Sequence, residues 1–483
     1  MTDTVARPAP AAVAGLIDRD SRERLSDQLV GRLTEQIEAR VLRSGMRLPS
    51  IRACADEQGV ARATVVEAYD RLVAAGLVES RRGSGFYVSA PGEPAAQASR
   101  AGAAPAPVRV DTSWLLRNML SPSNVRIAAG SGFLPAELLD GESIATALRS
   151  VARQPASMLL GQGTAEGYAP LREQLALHLA GQGIGAEPDR ILTTAGVTQG
   201  LDLAIQTFVA PGDAVLVEDP AWFVLFARLA YAGARIVPVP RLADGPDLAA
   251  LDRLCVEHKP RLFVMTAVCH NPTGSTLSLA RAHELLVLAG RHGLRIIEDD
   301  IYGDFASPSG GRAVRLASLD QLRSVIYCGG FSKTLAPNLR VGYVAADADT
   351  IAALAERKTL CAIANPELPE RVLYKVLTEG RYRKHVERLR GRVDAARETA
   401  VRALEKAGLR VPGVPEAGHF IWADAGTETR PLAAEARRDG ILLAPGALFN
   451  PTQAPSTWLR FNAATSQSSE LHRWLARALD RAG

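Results

Sequence analysis

The stretch "GGFSKTLAPNLRVGY", residues 329–343, sets one lysine, Lys333, behind a short apolar run and seven positions ahead of one arginine, Arg340. The run itself, within "SVIYCGGFSK" (324–333), reads as a strand. Four more such runs lie upstream: "RILTTAG" (190–196), "AVLVEDP" (214–220), "RLFVMTAV" (261–268) and "LRIIEDD" (294–300). Amphipathic segments such as "TQGLDLAIQTFV" (198–209) and "SLARAHELLVLAGRHG" (278–293) separate them. Strand-like runs alternating with helical segments imply βαβ units and a mostly parallel sheet with helices on both faces. After residue 370 a long charged helical stretch is followed by short strands, "HFIWAD" and "WLRFNA", which predicts a smaller α+β lobe.

Each run ends in polar residues: Gly196-Val197-Thr198, Asp219 to Trp222, Asn271 to Gly274, Asp299 to Tyr302, and Ser332-Lys333. In open α/β sheets ligands bind beyond the carboxyl ends of the strands, so these motifs are expected to converge on one pocket. A lysine there can hold an anion, be solvated, or form a Schiff base if its pKa is depressed. A Schiff base on pyridoxal 5'-phosphate (PLP) has demanding companions. The ring nitrogen needs an acid partner. The phosphate needs an arginine, a hydroxyl and a helix N-terminus. The ring oxygen needs donors, and the ring face needs a cover. The sequence holds a candidate for each.

The first 90 residues differ in kind. Residues 1–20 read as a flexible N-terminus. In 21–90, Leu25, Leu29, Leu33, Ile37 and Val41 recur every four positions, one apolar helix face. Ser50 can cap a second helix, "IRACADEQ", and "RATVVEAYDRLVAA" forms a third that buries Val65, Tyr69 and Leu72. "LVESRRGSGFYV" reads as a hairpin around Gly83-Ser84-Gly85. Helix, helix, turn, helix, hairpin is the order of a winged helix-turn-helix. Residues 91–112, rich in Ala and Pro and without an aromatic residue, form a linker spanning ~26 Å as a coil.

At 483 residues the chain needs more than one domain. Its net charge of +4 is too small to argue for nucleic acid or membrane by itself. The five cysteines form no CxxC pair, which argues against a zinc ribbon or disulfide framework. The eight histidines show no paired spacing, so no metal is expected. No run reaches the ~18 apolar residues of a membrane span, and a cytoplasmic location is expected.

Residues 113–483 resemble a fold-type I PLP-dependent aminotransferase of class I/II, through "NPTG" (271–274), "EDDIYGDF" (298–305), "FSKTLAPNLRVGY" (331–343) and "WLRFN" (458–462). Residues 21–90 resemble a GntR-type winged helix, and the combination resembles the MocR group of bacterial regulators. The resemblance implies that Lys333 carries the internal aldimine and Asp299 pairs with the pyridinium nitrogen. Tyr302 and Asn271 would bond the ring oxygen, and Trp222 would stack on the ring. Arg340, Ser332, Thr198 and the backbone of Gly196 and Val197 would bind the phosphate. Arg460, with Asn271, would hold an effector carboxylate. Arg52, Arg62, Thr64, Arg81, Arg82, Gly83 and Ser84 would face double-stranded DNA, with Arg62 and Thr64 at the start of the recognition helix. A homodimer with exchanged winged helices is implied. Many relatives carry a tyrosine where Leu160 stands; Tyr168 is the nearby hydroxyl.

Two readings follow. One is a regulator whose aminotransferase-like domain senses PLP, or an amino acid or amine. The other is a working aminotransferase with an accessory DNA-binding domain. A bare dimerisation scaffold would not need the cofactor set.

Overall fold

The computed structural model describes residues 24–38, 41–42, 45–74, 77–81, 85–88, 125–306 and 313–481. The chain divides into two compact units, 1–105 and 106–483. The expected flexible N-terminus and linker lie outside the described residues, as do Arg82, Gly83 and Ser84.

The smaller unit holds helices α1 (Leu25–Glu38), α2 (Ile51–Gln58) and α3 (Arg62–Ala74) and the hairpin β1 (Val78–Arg81) and β2 (Gly85–Val88). Ser50 accepts the Ala53 amide at 3.2 Å and starts α2; Gly59, at φ 64°, ends it. Leu29, Leu33, Val65, Tyr69 and Leu72 form the core. The Tyr69 hydroxyl donates to the Pro49 carbonyl at 3.0 Å, which satisfies its one polar atom. Val41, expected on the buried face, is 62% exposed because α1 ends at Glu38, before the periodicity does.

The larger unit is built on an eight-stranded sheet. In chain order its strands are β3 (Ile191–Thr194), β4 (Ala214–Asp219), β5 (Arg235–Leu242), β6 (Gly245–Pro246), β7 (Leu262–Met265), β8 (Arg295–Asp299), β9 (Val325–Gly330) and β10 (Gly342–Ala345). Their spatial order is β3-β10-β9-β8-β7-β4-β5-β6. The five predicted runs are β3, β4, β7, β8 and β9, while β5, β6 and β10 were not foreseen. Strands β9, β8, β7, β4 and β5 pair in parallel, and β10 is antiparallel to both β9 and β3.

Alternate residues feed two cores. Leu216, Phe263 and Ile296 pack on one face; Val215, Val264 and Ile297 pack on the other. Burial on both faces explains why these strands read as continuous apolar runs. The predicted long helix is two, Glu367–Thr378 and Arg381–Lys406, broken at Gly380 with φ 68°. A small antiparallel sheet, β11 (Phe420–Asp424), β12 (Ala444–Pro445) and β13 (Trp458–Asn462), completes the second lobe in the order β11-β13-β12. Among the described residues no helix is long and apolar enough to cross a membrane.

Candidate functional site

The strand ends meet as the chain pattern implied. Asp299 is the last residue of β8, and Ser332 and Lys333 lie just past β9. Asn271 follows β7 and Trp222 follows β4. The helix Val197–Phe208 starts beyond β3. Strand β10 runs the other way, so its start, rather than its end, brings Arg340 to the same rim. A cavity of about 100 Å³ is lined by Val197, Thr198, Trp222, Asn271, Asp299, Tyr302, Ser332, Lys333 and Arg340, together with Phe133, Thr266 and Ile301. Of the ten residues expected to hold the cofactor, only Gly196 does not line it. Gly196 is at φ 77°, and a Cβ there would stand 2.6 Å from Arg340 Nη2. The arginine donates from that same nitrogen to the Ala195 carbonyl at 3.1 Å. The helix after Gly196 has no side-chain cap among the described residues; the Gln199 amide donates to the Gly196 carbonyl at 3.1 Å, which leaves the Val197 and Thr198 amides of its first turn for a ligand.

Burial sets the acidities. The Lys333 amine donates to the Gly132 carbonyl at 2.9 Å and lies 3.9 Å over the Phe133 ring. Desolvation, reinforced by Arg460 and Arg340 and opposed by Asp299, pulls its pKa down to about 7. Desolvation pushes Asp299 up to about 7, against the Ile301 amide donated to its carboxylate at 3.2 Å. Both groups are therefore held toward their neutral forms. The neighbouring Asp300 points elsewhere, to Arg315 at 2.6 Å and the Tyr327 hydroxyl at 2.6 Å. It is neither solvated nor a cap, and it leaves Asp299 as the carboxyl of the cavity.

Asn271 donates to the Tyr302 hydroxyl at 3.2 Å and accepts from Arg460 at 2.9 Å. Arg460 is 1% exposed and sits behind Asn271 rather than on the cavity wall. It also donates to the Gly130 carbonyl at 2.7 Å, while its Nε has no partner among the described residues. Its guanidinium lies between the rings of Phe420 and Phe449, at 4.4 and 4.9 Å. Burial lowers its pKa to about 10.

Several participants escaped the sequence reading. Phe133 lies under Lys333. The buried imidazole of His419 packs 5.5 Å from the Tyr302 ring, and burial and the nearby Lys333 and Arg460 cations hold its pKa well below the usual histidine range. His270, although next to Asn271 in the sequence, is buried against Glu218 at 3.3 Å, with Arg241 paired to the same carboxylate. Leu160 is 85% exposed. Tyr168 stacks under the Arg371 guanidinium at 4.3 Å and does not line the cavity.

In the smaller unit, Arg62 is exposed at the start of α3 and Thr64 is half-buried one turn in. Arg52 is exposed on α2, 3.9 Å from Asp56. Arg81 ends β1, opposite Gly85. Arg47, not singled out in the sequence, crosses the hairpin, with its Nε 3.3 Å from where a Gly85 Cβ would stand.

The aminotransferase class I and II profile matches residues 136–478, and the bacterial gntR-family regulatory protein profile matches residues 25–88. The HTH-type transcriptional regulator YdcR of Escherichia coli is 31% identical over 460 residues, covering 90% of this chain and 94% of its own. The HTH-type transcriptional regulator TauR of Rhodobacter capsulatus is 33% identical, covering 88% and 89%. The 2-aminoadipate transaminase of Thermus thermophilus is 32% identical, covering 77% and 94%. The solved structure of LysN, alpha-aminoadipate aminotransferase of Thermus thermophilus, complexed with N-(5'-phosphopyridoxyl)-L-leucine, superposes with TM-score 0.70 at 28% identity, covering 76% and 94%. Likeness to the regulators runs through both units, whereas likeness to the transaminases stops at the second: the chain belongs to the MocR/TauR-type transcription regulators, which join a GntR-type DNA-binding domain to a PLP-dependent class I and II aminotransferase domain.

Proposed function

We propose that the protein is a cytoplasmic homodimeric regulator that binds an operator through α3 and the hairpin, and that loading of the large-unit cavity changes its affinity for that operator. The observation that carries this reading is the gathering of Lys333, Asp299, Arg340 and the uncapped helix start around one cavity in a chain that also carries a DNA-binding unit. The donor set fits PLP. Gly196 leaves the room that Arg340 needs beside the helix start, as a phosphate cradle requires. Asp299 is a buried carboxyl with one backbone donor and would pair with the protonated ring nitrogen, its carboxylate accepting the pyridinium N–H. Tyr302 and Asn271 would orient the ring, Trp222 would cover it, and Lys333, already near neutrality, would anchor it. When bound, PLP supplies an electrophilic carbonyl and an electron-withdrawing ring.

The residues that remain define the effector. Arg460 reaches the cavity only by releasing Asn271 or Gly130, and a carboxylate is the ligand that repays that exchange. An amino acid is therefore the favoured effector class. The experiment is binding of the purified protein to DNA upstream of its own gene, in cofactor-free and PLP-loaded forms at fixed salt. A change in affinity or footprint is expected. Specific binding indifferent to PLP would move the signal to an amino acid or amine, and absence of specific binding in either form would refute the regulator.

A second reading, a working aminotransferase, is favoured by the low pKa of Lys333, which leaves a nucleophilic amine near neutral pH. Sustained exchange between an amino acid and a keto acid at ordinary enzyme rates, without an operator, would establish it.

A further inference from the structure

Asn462 ends β13, two residues beyond Arg460, and is completely buried. Strand alternation puts both side chains on the same face of the small sheet. Each turns to one short segment, Gly130–Phe133, more than 300 positions earlier in the chain. Arg460 takes the Gly130 carbonyl at 2.7 Å. Asn462 donates both amide hydrogens, to the Ser131 carbonyl at 3.1 Å and the Phe133 carbonyl at 2.8 Å. Its own oxygen accepts the Ala464 amide at 3.0 Å, so the side chain is fully engaged.

The carbonyl between those two, Gly132, is left to the other side, where it accepts the Lys333 amine at 2.9 Å. The next residue, Phe133, sets its ring 3.9 Å from that amine. The two groups that fix Lys333 from outside its own loop thus belong to a segment that Asn462 clamps on either side. We propose that Asn462 is a positioning residue for Lys333, acting through the Gly132 carbonyl and the Phe133 ring. This rests on the reading of Lys333 as the cofactor anchor.

The physical consequence is specific. Without the clamp, the Gly132 carbonyl and Phe133 ring no longer hold the amine in one place or keep water from it. The other groups facing that amine are Asp299, Arg340, Tyr302, His419 and Arg460, of which Arg460 also bonds the segment at Gly130. Water reaching the amine relieves the desolvation that depresses its pKa, so the pH dependence of cofactor capture moves toward higher pH.

The test compares wild type, Asn462→Leu and Phe133→Leu as full-length chains. Rates of PLP capture are measured from pH 6 to 10 by absorbance, and release is measured with a PLP scavenger. Asn462→Leu keeps the branching at Cγ and removes both donors. Release about tenfold faster, the scale of one to two lost hydrogen bonds, with the capture midpoint moved to higher pH, is the expected result. A variant that melts lower yet captures and releases PLP as wild type does would overturn the proposal, since Asn462 would then be structural only. Where Asn462→Leu does not fold, Phe133→Leu decides, because it leaves the clamp intact: faster release supports the relay, and unchanged release overturns it. A Lys333→Ala control that releases PLP no faster than wild type would sink the anchor reading itself, a failure separable from that of Asn462.

Discussion

Replacing Asp299 by asparagine should make the cofactor-free protein more stable while weakening its hold on PLP. Asn keeps the shape and still accepts the Ile301 amide, now 3.2 Å from the carboxylate. What it removes is a carboxyl whose pKa is pushed by burial from 3.8 up to about 7. The folded form of a group with a raised pKa binds more protons than the unfolded form between the two values. Its contribution is therefore most favourable below the unfolded pKa and is lost as pH rises through the folded one. At 1.36 kcal/mol per pH unit, the penalty is near zero at pH 3, about 1.5 kcal/mol at pH 5, and reaches a ceiling of about 4 kcal/mol above pH 7. The pull of Lys333 is already contained in that shift, and burying the asparagine amide costs part of the ceiling, so a gain of about 2–4 kcal/mol at pH 8 is expected. The assay is denaturant unfolding of the cofactor-free larger-unit transition at pH 5 and pH 8, with PLP titrated into each protein at pH 8. An asparagine variant no more stable than wild type at pH 8, or equally advantaged at both pH values, would refute the claim that this carboxyl is held at a desolvation cost.

Lys333→Met should show the opposite pH trend. Its pKa is depressed from 10.5 to about 7, so the penalty it removes is full below pH 7 and fades toward pH 10.5, and unfolding from pH 6 to 10 checks the sign. Gly196→Ala meets both a φ of 77°, costing about 1–2 kcal/mol, and the Arg340 guanidinium 2.6 Å from the new methyl, so PLP affinity should fall at least about tenfold in equilibrium dialysis. Arg62→Ala should cost about 1–3 kcal/mol of discrimination between specific and random DNA by fluorescence anisotropy, with the absorbance of bound PLP unchanged.

The half of the site carried by strand ends was legible because β3, β4, β7, β8 and β9 are buried on both faces and break into polar motifs where they stop. Arg340 was legible only through its spacing from Lys333; the reason it arrives, the antiparallel β10, was not. Asp299 and Asp300 are adjacent in sequence, and only the Arg315 and Tyr327 partners of Asp300 separate their fates. The segment Gly130–Phe133 left no signal, because its role lies in carbonyls that meet Arg460, Asn462 and Lys333 across 200 to 330 positions. His270 was ambiguous for the same reason: its partner Glu218 sits on another strand. In the smaller unit the helix order and core could be read, but the end of α1 could not, since periodicity continued past the last helical residue.

The acidities in the cavity also bound what the protein can transmit. A ligand shifts an equilibrium between two arrangements only by the difference in its affinity for them. Lys333 is bonded to Gly132, and Arg460 to Gly130 and Asn271. Under the proposed reading, a cofactor held at Lys333 and a carboxylate-bearing effector held at Arg460 would exchange these contacts more than add to them. The surplus is expected to lie within the usual coupling range of about 1–3 kcal/mol, roughly a 5- to 150-fold change in operator affinity. Both carbonyls, those of Gly130 and Gly132, belong to one short segment. Turnover requires the product to leave, whereas signalling requires the ligand to stay long enough for that exchange to persist.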